Sequence, residues 1–140
     1  MGVATSNREV VLALYDRFRP SDAAPALELL SEDFVGEVPP SMSAEPDVYE
    51  GREGALRYMR AFEGFMEDVR FEPLQVHEHG ERVIVELRLV GRGATSGIEV
   101  DQRAVVVHEL EDGKIKRMDP YLDFETALAA VAAREGGPAA

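Results

Sequence analysis

DQRAVVVHELEDGKIKRMDPYL, residues 101–122, is the stretch whose reading decides the fold. Two apolar strand patterns flank Asp112-Gly113, a dipeptide that tolerates the positive φ angles of a tight two-residue hairpin turn. Ala104-Val105-Val106-Val107 shows no polar alternation, so its strand is expected to be covered on both faces. His108 ends that run among apolar neighbours. A two-sided buried strand carrying one titratable group marks both the core and the first place to look for chemistry.

Around this hairpin, the chain of 140 residues has the size of one domain, with an ordered core expected over about 6–134. At 45% hydrophobic and 30% charged residues it is globular in composition. The net charge of −12 opposes binding to nucleic acid or to an anionic membrane surface. No apolar run is long enough to span a bilayer, and no basic region followed by an apolar stretch suggests a secretory signal. Met1-Gly2…Ser6 fits the loose myristoylation pattern, and a chance match in an acidic domain is the better account. With no cysteine, disulfides, thiolate metal sites and cysteine nucleophiles are excluded, and a cytoplasmic location is expected.

The remaining elements fall into order. Ser6-Asn7-Arg8-Glu9 has capping-box spacing, and Val11, Leu14, Tyr15 and Phe18 continue as a helical stripe that Pro20 ends. Asp22 caps a short second helix with Leu27, Leu29 and Leu30 inward, and 33–38 reads as a strand. Residues 39–50, proline-rich and aperiodic, read as a long loop. A third helix is expected from about Arg52 to Glu67, with Leu56, Met59, Phe62 and Met66 on one stripe and Tyr58 beside it. Strands over 71–79 and 82–90 follow, the second placing Val83, Val85, Leu87 and Leu89 on one face. Asp123 caps a last helix, 124–134. This is an α+β pattern of one domain, a curved sheet with helices on it.

Four landmarks carry a family resemblance: Leu14-Tyr15…Ser21-Asp22, Leu29-Leu30-Ser31-Glu32-Asp33-Phe34, Tyr49-Glu50-Gly51-Arg52-Glu53, and Asp112-Gly113-Lys114-Ile115…Tyr121-Leu122-Asp123. In this order and spacing the chain resembles the SnoaL-like group of the nuclear transport factor 2-like superfamily. The resemblance implies a cone-shaped α+β barrel: a curved mixed or antiparallel sheet, three N-terminal helices, a C-terminal helix, an enclosed pocket, and a homodimer formed through the sheet. Its members include ketosteroid isomerases, polyketide cyclases, limonene-epoxide-type hydrolases and non-enzymes. Their acids carry over poorly. The isomerase base falls on Val38, with Glu37 adjacent; the isomerase oxyanion-binding acid falls on Val106; the cyclase acid falls on Pro120, with Asp119 adjacent.

Four residues are candidates for proton transfer. His108 leads, because an imidazole in an apolar cavity can exchange a proton near neutral pH, and SnoaL-like cyclases place a histidine similarly on the sheet. Tyr15 could donate a hydrogen bond to a substrate carbonyl. Glu37, at a strand end, could be a base raised by burial. Asp119 enters the pocket only if Pro120 makes its strand irregular. Counting by twos sets Gln102, Ala104 and Val106 on the His108 face, toward the pocket, and Val105 and Val107 toward a partner subunit. Phe18, Met59, Phe62, Gln102, Val106 and Met118 are the expected ligand contacts. Glu86 and Arg88 read as an outward surface ion pair, and His77-x-His79 as a solvated strand end with no third metal ligand.

The expected function is cofactor-free acid–base chemistry, of the isomerase, cyclase or dehydratase kind, on a small apolar or polycyclic molecule. The competing reading is a non-catalytic hydrophobic-ligand-binding or dimeric accessory module. Neither requires a metal.

Overall fold

The computed structural model describes residues 6–17, 24–38 and 47–135, of which 38, 47, 59–66, 134 and 135 are described in backbone only. Along the chain come α1 (Asn7–Arg17), α2 (Ala24–Leu27), β1 (Leu30–Val38), β2 (Asp47–Glu50), α3 (Gly51–Phe65), β3 (Met66–His79), β4 (Arg82–Gly93), β5 (Glu99–Glu111), β6 (Lys114–Tyr121) and α4 (Phe124–Glu135). The six strands form one open sheet in the order β2-β1-β6-β5-β4-β3. Among the described residues only β1 and β6 run parallel; the other pairs are antiparallel.

The local chemistry behind these elements is direct. Ser6 Oγ accepts the Glu9 N–H at 3.2 Å, satisfying a donor that the first turn of α1 leaves open. Asp112 and Gly113 both have positive φ, 52° and 77°, which suits a hairpin whose turn must follow the right-handed twist of its strands. Asp123 Oδ1 accepts the Thr126 N–H at 2.7 Å and starts α4. Phe18, Pro20 and Asp22, expected to end α1 and begin α2, lie outside the described residues.

Two expectations about the sheet need correction. Within the expected loop 39–50, Asp47–Glu50 forms β2, pairing Gly36 with Tyr49 and Glu37 with Val48. A four-residue edge strand carries too few side chains to show periodicity. It is fixed by neighbours instead: a Cβ at Gly54 would lie 2.9 Å from the Tyr49 backbone, so α3 can lie this close to β2 only with glycine there. The second correction concerns Val105 and Val107. They pack with Ile84 against Ala127 and Val131 of α4, so the chain covers this face itself and needs no second subunit there.

The sheet therefore separates two apolar clusters. Val83, Val85, Leu87, Val106, Leu110 and Ile115 face α1, α2 and α3 through Val10, Val11, Leu14, Ala26 and Ala55. The smaller cluster lies under α4. β5 contributes to both, as its unbroken valine run requires.

Val131 is 1% exposed, so Val131→Ala leaves a hole under α4 and should lower unfolding free energy by about 2 kcal/mol, while Asp123→Ala should cost about 1 kcal/mol through the lost cap. Urea denaturation of each variant measures both.

Candidate active site

Helices α1 and α3 lean on the concave side of the sheet and leave an apolar cavity of about 110 Å³. Leu14 and Tyr15 of α1, Phe34 of β1, Phe71 of β3, Leu87 of β4 and Val106 of β5 form much of its wall. Met118 and Pro120 of β6, Tyr49 of β2 and Tyr58 of α3 also line it. The Tyr49 and Tyr58 rings lie 4.9 Å apart, and the Arg57 guanidinium sits 4.3 Å over Tyr49. A cation on a ring face stiffens this side of the cavity.

Behind the wall lies His108, fully buried. It faces Val83 across the β4–β5 ladder, and its Nδ1 stands 3.0 Å from the Val83 carbonyl oxygen. A carbonyl can only accept, so Nδ1 carries the proton. Its Nε2 lies 2.6 Å from Tyr15 Oη, with the two rings edge-on at 89°. The histidine is neutral: burial lowers its pKa to about 4, against smaller opposing effects of the Val83 and Val106 carbonyls. Nε2 is therefore bare, and the Tyr15 hydroxyl donates to it. Burial first, and the neighbouring Tyr58 second, push the Tyr15 hydroxyl well above the ordinary phenol range. Tyr58 is pushed up to about 12 by burial and then by Tyr49. Tyr15 and Tyr58 are therefore protonated at neutral pH.

This geometry revises two expectations. His108 is not a base poised near neutrality, since desolvation carries it to about 4. Nor does Tyr15 aim its proton at a ligand carbonyl, because that proton is held by His108. What the structure does is bring the two together, residues 93 positions apart in sequence, into one hydrogen-bonded pair.

The two carboxylates go elsewhere. Asp119 pairs with Val107 in the ladder and so points away from Met118 and Pro120, the cavity residues beside it. β6 is regular there, and the irregularity that could have turned Asp119 inward is absent; the register shift comes earlier, at Glu109/Leu110. Arg117 donates to Asp119 Oδ2 at 2.8 Å and to Glu37 Oε1 at 3.1 Å. Glu37 touches the rim of the cavity, but its half-exposed carboxylate is bonded to Arg117. Neither expected acid presents a carboxylate to the apolar wall.

Of the expected ligand contacts, Val106 and Met118 line the cavity. Gln102 does not, being exposed beyond the covered part of β5. Phe18 and the side chains of Met59 and Phe62 lie outside what the structure describes. Tyr49, Phe34, Phe71 and Tyr58 were not picked out as ligand contacts. Phe34 and Phe71 could have been found from strand alternation, but Tyr49, although part of the Tyr49-Glu50-Gly51-Arg52-Glu53 landmark, had no signal that set it at the cavity wall. On the other face, Glu86 and Arg88 do point outward yet do not pair with each other. Glu86 bonds His77 at 2.9 Å, and Arg88 holds Asp101 with two nitrogens at 2.9 and 2.7 Å. His77 is not a solvated strand end: its ring lies 4.4 Å from that of Phe124, under α4. Among the described residues no three potential metal ligands cluster, and no helix is long and apolar enough to cross a membrane.

The buried imidazole should leave a mark on stability. As pH falls below 6.5 the unfolded chain takes up a proton at this histidine, while the folded chain resists until about 4. Stability present above 6.5 is thus lost on acidification through this window, by about 3 kcal/mol at pH 4. The unfolding free energy of wild type minus that of His108→Gln, measured at pH 7 and pH 4, should fall by this amount.

Comparison with known proteins agrees with the architecture. The SnoaL-like domain model matches residues 11–118. A nuclear transport factor 2-like protein of unknown function from Burkholderia pseudomallei superposes with a TM-score of 0.75 at 21% identity, over 92% of this chain and 100% of that one. A protein from a Jannaschia species, proposed to be a SnoaL-like polyketide cyclase, gives 0.70 at 25% identity over 94% and 99%. Another proposed polyketide cyclase, from Pseudomonas putida, gives 0.71 at 20% identity over 90% and 98%. No curated protein matches the chain. With its open curved sheet, its helices and a domain model that spans most of its length, the chain belongs to the SnoaL-like domain family, of nuclear transport factor 2-like fold.

Proposed function

We propose that the protein acts on a small, largely apolar molecule by cofactor-free proton transfer, with Tyr15 meeting the molecule and His108 serving as the base behind it. The observation that carries this reading is the 2.6 Å bond between Tyr15 Oη and His108 Nε2 at the wall of the cavity. A proton leaving a ligand hydroxyl can pass to Tyr15 Oη as the phenol proton passes to Nε2. No free phenolate then has to form in an apolar site, where it would be strongly disfavoured. The resulting imidazolium keeps its Nδ1–H bond to Val83. A base near 4 is too weak for an unactivated carbon acid, so the chemistry suits enols, whose O–H is the acidic group. The polyketide-cyclase-like relatives are consistent with enol chemistry but do not assign it here.

The cavity also narrows the expected ligand. About 110 Å³ is on the scale of the ~150 Å³ apolar cavity that accepts benzene, so a single ring fits the described walls better than a polycyclic one.

A second reading, an apolar-ligand-binding module without catalysis, draws on one observation. The carboxylate at the rim, Glu37, is bonded to Arg117 instead of facing the cavity. The two readings part on ketonisation of ring-sized enols, such as that of cyclohexanone, generated in situ. In the catalysed reaction the O–H proton leaves through Tyr15 to His108, water delivers the proton to carbon, and the imidazolium then returns its proton through Tyr15 to the hydroxide left behind. Catalysis predicts acceleration by wild type and a loss of about 100-fold in Tyr15→Phe and in His108→Gln. It also predicts a rate that is flat from pH 8 to about 5 and falls as pH passes 4, because the base must be unprotonated. A rate equal to the uncatalysed one, with a ring-sized ligand raising the melting temperature, would instead select the binding module.

A further inference from the structure

The position of one proton decides what kind of ligand the cavity can recognise. This step rests on the reading that the cavity holds a small molecule, and not on whether that molecule is turned over. The Val83 carbonyl fixes the proton of His108 on Nδ1. Full burial, with no carboxylate bonded to the ring, keeps Nε2 bare. Tyr15 has one proton, and Nε2 takes it at 2.6 Å. No hydrogen bond to Tyr15 other than this one occurs among the described residues, so the phenol oxygen keeps its acceptor capacity. Tyr15 lines a cavity whose other walls are mostly aliphatic and aromatic.

We propose that Tyr15 Oη is the polar recognition point of the cavity and works as a hydrogen-bond acceptor, so that the site selects ring-sized molecules bearing a hydroxyl donor, phenols and small enols, over carbonyl compounds of the same shape. A ligand carbonyl could be served only by turning the Tyr15 proton outward. That would strand Nε2, a fully buried acceptor, without a partner. A ligand hydroxyl instead completes a chain, ligand O–H to Tyr15 Oη, Tyr15 O–H to His108 Nε2, His108 Nδ1–H to Val83 oxygen, in which each donor has an acceptor. Such chains polarise along their length and strengthen each link. Glu37, the carboxylate residue among the described lining residues, does not compete as an acceptor, since Arg117 holds it.

Calorimetric titration of the wild-type protein at pH 7 with phenol, benzaldehyde and toluene tests this. Phenol should bind about tenfold more tightly than benzaldehyde, the scale of one buried hydrogen bond made against one left unmade. His108→Leu removes the inner acceptor, frees the Tyr15 proton to point outward, and should reverse the order in favour of benzaldehyde. Should that variant fail to fold, Tyr15→Phe takes its place and should abolish the phenol advantage. Loss of the phenol advantage in Tyr58→Phe together with its retention in Tyr15→Phe would move the recognition point to Tyr58 and overturn the proposal. Toluene binding without a preference for phenol would overturn the acceptor role while leaving the ligand cavity standing. No binding by any of the three probes would overturn both.

Discussion

A buried imidazole has two nitrogens to satisfy, and in this fold that requirement ties the sheet to its helices. His108 is completely buried, so each nitrogen left unpartnered would cost on the order of 1–3 kcal/mol. Nδ1 finds its partner within the sheet, at the Val83 carbonyl on the neighbouring strand. Nε2 finds its partner outside the sheet, at Tyr15 on α1. The second bond is the directional one. Val10, Val11 and Leu14 hold α1 to the core by apolar burial, which tolerates sliding, whereas a 2.6 Å bond to one atom sets where along the sheet the helix must sit. The same bond puts the Tyr15 ring at the cavity wall, so the packing of α1 and the shape of the cavity depend on one contact.

The organisation of β5 follows from having to serve two clusters at once. Val106 and His108 point toward α1 and α3, while Val105 and Val107 point toward α4. With α4 in place, the middle of the sheet is covered on both sides by the chain itself. The charged pairs are pushed to what remains of the outer face. Arg117 lies between Glu37 and Asp119, and Glu109 accepts from Arg82 at 3.1 Å and Lys116 at 3.4 Å. The half-exposed Glu37 contributes little through its pair, whereas Asp119 is buried and its carboxylate is satisfied in part by Arg117. Their effect on the site is indirect: carboxylates engaged there are not available to the cavity.

What could be read from the sequence divides along a physical line. The hairpin turn at Asp112-Gly113, the two-sided valine run and the inward set Val83, Val85, Leu87 and Leu89 were legible because each is a local rule: a dihedral requirement or a period of two. His108 and Tyr15 were each identifiable as residues of interest, but their bond was not, because it depends on how α1 is set across the sheet. Burial could be foreseen for His108; that both its nitrogens would be occupied, and its pKa carried down to about 4, could not. β2 escaped for a different reason, since four residues held by Gly54 and by β1 have no signature of their own. Asp119 turned on one register question beside Pro120, and the regular strand decided it.

The partner on Nδ1 has the last word on how much chemistry the pair can do. In a catalytic triad the imidazole is oriented by a buried carboxylate, whose charge stabilises the imidazolium that forms. Here the orienting group is a backbone carbonyl, which fixes the tautomer equally well but brings only a dipole against the desolvation of a cation. Orientation and basicity, supplied together by an aspartate, are thus separated in this site. The other walls sharpen the contrast, because Val106 and Pro120 line the cavity as apolar surface. Among the described residues no carboxylate is bonded to the ring to offset a full positive charge. A proton can move inward from Tyr15 only while another arrives at Oη from a group already inclined to release it. On the proposed reading, selectivity in chemistry and selectivity in binding have one origin: a single inward-pointing proton, fixed by a neutral carbonyl of β4.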